Sequence, residues 1–173
     1  RGRTPSVRRP VVKHVAGRVP VIAGSGSNST QTMLTKSLTY QGLGADGLLL
    51  ITPYYNKSNE EGIYQHFKTV ADAVDIPCIL YNIPGRCGCG ISERNVERLA
   101  AHPNIMGIKE ASGNVAYAAK IAHLLSDDFR MYSGEDALTV PLMSWALRAP
   151  SACGPTCSRS LYTTCAALIW TAT

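Results

Sequence analysis

The chain has 173 residues, 45% of them hydrophobic and 17% charged, which suffices for one domain with its own core but falls short of the ~250 residues of a complete eight-stranded α/β barrel. Its net charge of +5 gathers toward the ends, in residues 1–10 and around Arg148 and Arg159, and no basic stripe interleaved with aromatics lies between them, which argues against nucleic-acid binding. No 18-residue apolar run is present to span a membrane and no secretory signal is visible, while six cysteines without paired zinc-ligand spacing read as reduced thiols of a cytoplasmic protein with no metal.

From residue 19 onward, short apolar runs alternate with amphipathic segments. Residues 19–24 (VPVIAG) predict a strand, and 28–43 a helix that starts near Ser29 or Thr30 and stops at Gly42 or Gly44. A strand over 45–53 and a helix over 60–74 follow, then a strand over 76–84 and a helix over 92–102. Residues 105–112 predict the next strand, 115–125 a helix, 129–136 a fifth strand and 137–147 the start of a further helix.

Strands rich in Val, Ile and Leu on both faces, each followed by a helix, predict a parallel sheet covered by helices, either open and doubly wound or closed into a barrel. Asn28, Tyr54, Tyr55, Tyr81, Arg86, Lys109 and Glu110 all fall at or just after the carboxyl end of a predicted strand. In a barrel those ends converge on one mouth, where catalysis occurs. Lys109 departs most from its surroundings, because Ile105, Met106 and Ile108 read as buried strand. Such a lysine either snorkels along apolar surface to solvent or serves chemistry.

Four motifs, AGSGSNST, ITPYYNK, YNIPGR and GIKEASGN, occur in this order, with the lysine of the last placed 23 residues after the arginine of YNIPGR. Together, over residues 11–144, they closely resemble the dihydrodipicolinate synthase family of TIM-barrel, class I Schiff-base aldolases. The resemblance implies that Lys109 forms an imine with pyruvate, and desolvation in an apolar barrel would favour the neutral amine it needs. It implies that Tyr81 works beside that lysine in a proton relay, that Tyr55 enters from a neighbouring subunit, and that Arg86 binds the carboxylate of aspartate semialdehyde. It assigns Gly134 to a backbone segment lining the pyruvate pocket, and Asn28 and Tyr54 to the lysine inhibitor site of feedback-regulated members. In those members a glutamate or similar acceptor follows the asparagine by four positions; Thr32 stands there in this chain, which argues against feedback inhibition. No cofactor is implied beyond the covalent imine. The implied partners are pyruvate, aspartate semialdehyde and further copies of the chain in a dimer of dimers.

By the same resemblance the first two barrel strands would precede residue 1, and the eighth is expected near Trp145, where the chain instead reads WALRAPSACGPTCSRSLYTT. With a suitable choice of codons, residues 149–157 read one base earlier give GAVSVWANV, which resembles that strand. The expectation is a partial TIM-barrel domain over 11–144, a non-matching flank over 1–10 and a frameshifted tail over 145–173. A barrel without these strands has unpaired edges, so the 173-residue chain is expected to aggregate and to lack activity. The alternatives are a catalytically inactive fragment of that enzyme, or a related pyruvate aldolase of the sialic acid lyase superfamily.

Overall fold

The structure, a computed structural model, describes residues 8–146. Its strands are β1 (Ile22–Gly24), β2 (Gly47–Ile51), β3 (Cys78–Asn82), β4 (Ile105–Glu110) and β5 (Arg130–Ser133). Its helices are α1 (Arg8–Val15), α2 (Thr30–Gly42), α3 (Glu60–Ala73), α4 (Pro84–Cys87), α5 (Glu93–Ala100), α6 (Val115–Ile121) and α7 (Thr139–Ala146). The expected eighth strand and all of the tail beyond residue 146 lie outside the described residues, as do residues 1–7 of the amino-terminal flank.

All five strands pair in parallel in the order β1-β2-β3-β4-β5. A doubly wound sheet reverses its strand order at a switch point. Here the order follows the chain without reversal, and α2, α3, α5 and α6 lie side by side as one layer over the sheet. This is the winding of a barrel wall. Each of these helices starts on a side-chain cap: Ser29, Asn59, Ser92 and Asn114 accept from the backbone N–H of Thr32, Gly62, Asn95 and Tyr117. Such caps satisfy amide donors that a helix start leaves free.

The main core fills the space between sheet and helices with Met33, Leu48, Leu50, Phe67, Leu80, Val96, Leu99, Ile108 and Ile121, all fully buried. Each such side chain contributes about 1.5–3 kcal/mol over its exposed state. The alternate strand positions point to the other face, where Ile22, Leu49, Ile79 and Tyr81 form a smaller apolar cluster flanked by Ile51, Ala111 and Tyr132.

The described elements differ from the sequence reading at their edges. Residues 84–87, expected as strand end and loop, make one helical turn begun by Pro84, whose missing N–H costs nothing at that position. The last predicted helix begins with a 3-10 turn over Asp136–Leu138 before α7. Helix α1, overlapping the expected flank, has no counterpart in the sequence reading.

Candidate active site

Tyr81 on β3 and Lys109 on β4 are register partners, and Lys109 in turn pairs with Tyr132 on β5. This row depends on an irregularity. Cys78 pairs with Ile105 but Ile79 pairs with Gly107, so Met106 is an extra residue in β4. Without it Tyr81 would face Ile108 and the lysine would sit on the opposite side from the tyrosine; a one-residue offset reverses every side chain. With it, the Lys109 ammonium lies 4.5 Å from the centre of the Tyr81 ring on the inner, helix-free face. Burial pushes the Tyr81 phenol above its ordinary value, and the charge of Arg86 partly opposes that rise. Arg86 itself is exposed on the α4 turn.

Gly134 completes the surroundings of the lysine. Its N–H donates to the Glu110 carbonyl at 2.7 Å, and a Cβ added there would lie 2.6 Å from Ala111 Cβ and 3.1 Å from Lys109 Cε. Glycine is required there by the close approach of Ala111, and it leaves Lys109 Cε uncrowded. Gly107, two residues before Lys109, is equally crowded, by Arg130 O at 2.3 Å and the Tyr132 ring at 3.2 Å from an added Cβ.

Glu110 does not join this group, although its strand-end position had placed it at the mouth. Being next to Lys109 it points to the helix side, where it is buried and accepts from Asn82 Nδ2 at 2.8 Å and from the Ser112 N–H at 2.6 Å. Asn82 Oδ1 accepts from the Ile91 N–H at 3.1 Å. A cleft of about 570 Å³ lined by Asn82, Pro84, Ile91, Arg94, Ser112 and Tyr117 opens beside this pair and not over Lys109. Tyr117 donates to the Ile91 carbonyl at 2.7 Å, and burial raises its pKa.

Tyr54 and Tyr55 stand on the loop after β2, away from that row. Tyr55 is 89% exposed with a left-handed φ of 72°, and Lys57 has φ 44°. Left-handed backbone at non-glycine residues costs on the order of 1–3 kcal/mol and persists where neighbours hold it. Here the Tyr55 N–H donates to the Cys87 carbonyl at 3.2 Å and Asn56 Nδ2 donates to the Asn28 carbonyl at 2.8 Å. The second bond ties the Asn28 backbone to the tyrosine loop.

Behind the loop, His66 on α3 is buried. Its Nε2 lies 3.2 Å from the Ile51 carbonyl and its Nδ1 2.8 Å from Thr30 Oγ1. A carbonyl can only accept, so Nε2 carries the proton and Nδ1 accepts from the threonine. Burial lowers the pKa of this imidazole from 6.5, against the Ile51 hydrogen bond. Below that value the unfolded chain takes up a proton that the folded chain refuses, so the stability His66 contributes is full above pH 6.5 and is lost as pH falls toward the folded pKa. His66→Gln is therefore expected to flatten the fall in melting temperature between pH 7 and about pH 5; an unchanged slope would assign the acid sensitivity to other groups.

Tyr132, Thr52, His66 and Asn82 were not singled out as site or support residues from sequence. Tyr132 carried a usable signal, the carboxyl end of a strand. His66 on an amphipathic helix carried none.

The dihydrodipicolinate synthetase family model matches residues 5–154. The chain belongs to the dihydrodipicolinate synthetase family. It is 53% identical over 137 residues to the 4-hydroxy-tetrahydrodipicolinate synthase of Pseudomonas syringae pv. syringae, an alignment covering 79% of this chain and 47% of that one. Among solved structures, it superposes on a dihydrodipicolinate synthase of Bacillus anthracis with a TM-score of 0.79 and 42% identity, covering 86% of this chain and 50% of that one. It likewise superposes on the chloride-inhibited dihydrodipicolinate synthase of Acinetobacter baumannii complexed with pyruvate, with a TM-score of 0.78 and 39% identity over 91% of this chain and 54% of that one. These neighbours put the parallel sheet of this dihydrodipicolinate synthetase family member in the TIM-barrel class. The chain spans about half the length of the curated relatives it matches.

Proposed function

We propose that this chain carries the Schiff-base half of a 4-hydroxy-tetrahydrodipicolinate synthase, which condenses pyruvate with L-aspartate 4-semialdehyde in lysine and diaminopimelate biosynthesis. The observation that carries this reading is the pairing of Lys109 with Tyr81 on the inner face, with Gly134 leaving room beside the lysine. The relatives' names and the pyruvate complex of one of them support it.

In this reading the Lys109 amine adds to the keto carbon of pyruvate, water leaves, and an iminium forms. Loss of a methyl proton gives the enamine, whose carbon attacks the aldehyde of the second substrate. The amino group of that substrate then closes on the imine carbon and displaces Lys109, giving 4-hydroxytetrahydrodipicolinate. Tyr81, with its phenol held protonated by burial, relays protons beside the imine. The chemistry needs no cofactor other than the imine, and no metal.

The five described strands are read as consecutive staves of an eight-stranded barrel, the remaining staves lying outside residues 8–146. Tyr55, exposed and held in a strained conformation, is read as reaching into the mouth of a neighbouring copy, so that the working protein is a homo-oligomer. Asn28 and Tyr54 mark the place of a lysine inhibitor. Thr32 there offers a hydroxyl where an ammonium calls for a carboxylate, so inhibition by lysine is weak.

The test of the reading is reduction with borohydride in the presence of pyruvate. A peptide carrying Lys109 should gain the mass of the reduced pyruvate adduct, and no adduct at any pyruvate concentration would reject it. Arg86 separates the two substrates. As the planar donor fork facing the aldehyde's carboxylate, its loss in a chain carrying all eight barrel strands should leave pyruvate trapping intact and raise KM for aspartate semialdehyde about tenfold in Arg86→Ala, the moderate value reflecting its exposure. Equal loss of trapping would make Arg86 part of the imine site instead.

A further inference from the structure

The α4 turn ends in Cys87-Gly88-Cys89, two thiols that the proposed condensation does not use. Gly88 is left-handed, with φ 72° and ψ 1°. A helical-type bend turns the chain by roughly a right angle, so two 3.8 Å steps leave the flanking Cα atoms about 5.4 Å apart. That lies within the 4.4–6.8 Å range that a disulfide spans. Both cysteines also meet one dipeptide just after β2: burial raises the Cys87 pKa and the nearby Thr52 hydroxyl opposes that rise, and Cys89 Sγ donates to the Pro53 carbonyl at 3.7 Å. Cys87 is buried and Cys89 half-buried. The same turn holds the tyrosine loop, through the Tyr55 N–H to the Cys87 carbonyl and the Thr52 hydroxyl to the Cys89 carbonyl at 3.5 Å.

We propose that Cys87 and Cys89 form a peroxide-sensitive dithiol whose closure to a disulfide releases the Tyr54–Tyr55 loop from the α4 turn. Cys89, the more accessible sulfur, attacks hydrogen peroxide; the O–O bond breaks, water leaves, and Cys89 becomes a sulfenic acid. Cys87 sulfur then attacks Cys89 sulfur, the S–S bond forms, the S–O bond breaks, and a second water leaves. Two thiols are oxidised and one peroxide is reduced to two waters. Closure turns both sulfurs toward each other, away from Thr52 and Pro53, and the turn loses its side-chain hold on the end of β2. Cys78 takes no part: it is fully buried in the main core, with its thiol pushed up to about 12 by burial.

The 173-residue chain is exposed to hydrogen peroxide in native buffer, alkylated with N-ethylmaleimide and cut with trypsin, which releases residues 87–94 as one peptide holding both cysteines. That peptide should be unalkylated, lighter by two hydrogens, and restored by dithiothreitol, while Cys89→Ser should not form it. Hydrogen exchange at the Tyr55 amide should rise about tenfold in the oxidised chain, the loss of one hydrogen bond, and should not rise in peroxide-treated Cys89→Ser. Two alkylated thiols after oxidation would overturn the proposal. So would a disulfide that leaves Tyr55 exchange unchanged, or one that forms equally fast in urea, since the fold would then contribute nothing. No readout requires turnover, so failure here is distinct from failure of the condensation reading.

Discussion

Lys109→Ala, in a chain carrying all eight barrel strands, is expected to abolish borohydride trapping of pyruvate and to lower turnover by roughly 10⁴-fold or more, the scale on which enzymes lose activity with their nucleophile. The expectation is specific to this lysine. Lys68 pairs with Asp72 and Lys120 with Glu93 on helix surfaces, each ammonium held by a carboxylate and away from the inner face. Lys109 alone of these three shares the inner sheet face with Tyr81 and Tyr132. Mass mapping of the trapped wild-type chain should place the adduct on the peptide containing Lys109. Trapping that persists undiminished in Lys109→Ala would show that a different amine does the chemistry.

Asn82→Ala should be the most damaging substitution among the supporting residues. The asparagine amide satisfies a buried oxygen of Glu110 and the buried N–H of Ile91, and alanine leaves both without that partner. Each orphaned group costs about 1–3 kcal/mol, so a loss of roughly 2–4 kcal/mol is expected, read as a lowered urea midpoint at unchanged slope. Asn82→Asp keeps the size but sets a second carboxyl against Glu110, and should also destabilise, more so as pH rises. The effect should reach the site, because the Ile91 bond anchors the segment that follows α4 and the Ala111 N–H donates to the Asn82 carbonyl at 2.9 Å. A midpoint within error of wild type would mean that water replaces the lost amide.

Much of this architecture was legible in the order of residues. Four apolar runs rich in Val, Ile and Leu correspond to β1–β4, because burial on both faces leaves a parallel strand no polar alternation, and the segment over 129–136 corresponds to β5; the segments that follow correspond to α2, α3, α5, α6 and α7. The strand-end positions of Tyr81 and Lys109 were equally plain, since YNIPGR and GIKEASGN carry their own turn residues. The choice between an open sheet and a barrel was left to the polar residues in the sequence, and the pairing order in the structure supplied the reason.

What the linear order could not express was which face each residue would take. Lys109 and Glu110 are adjacent, and both sit at a strand end, yet one lies with Tyr81 and the other is buried against Asn82. Their assignment depends on the extra residue Met106, a bulge that exists only in the pairing of β4 with β3. In the same way, nothing in the composition of α3 marked His66 as a link between Thr30 and Ile51, or joined Cys87 and Cys89 to Thr52 and Pro53 some 35 positions earlier. The sequence by itself determined the five strands, the helices that follow them and the choice of Lys109 as candidate nucleophile, since these follow from local periodicity and from motifs read in place. The tertiary structure decided the register, the faces and the buried partners, because hydrogen bonds between distant segments and the parity of a strand are set only when the segments meet.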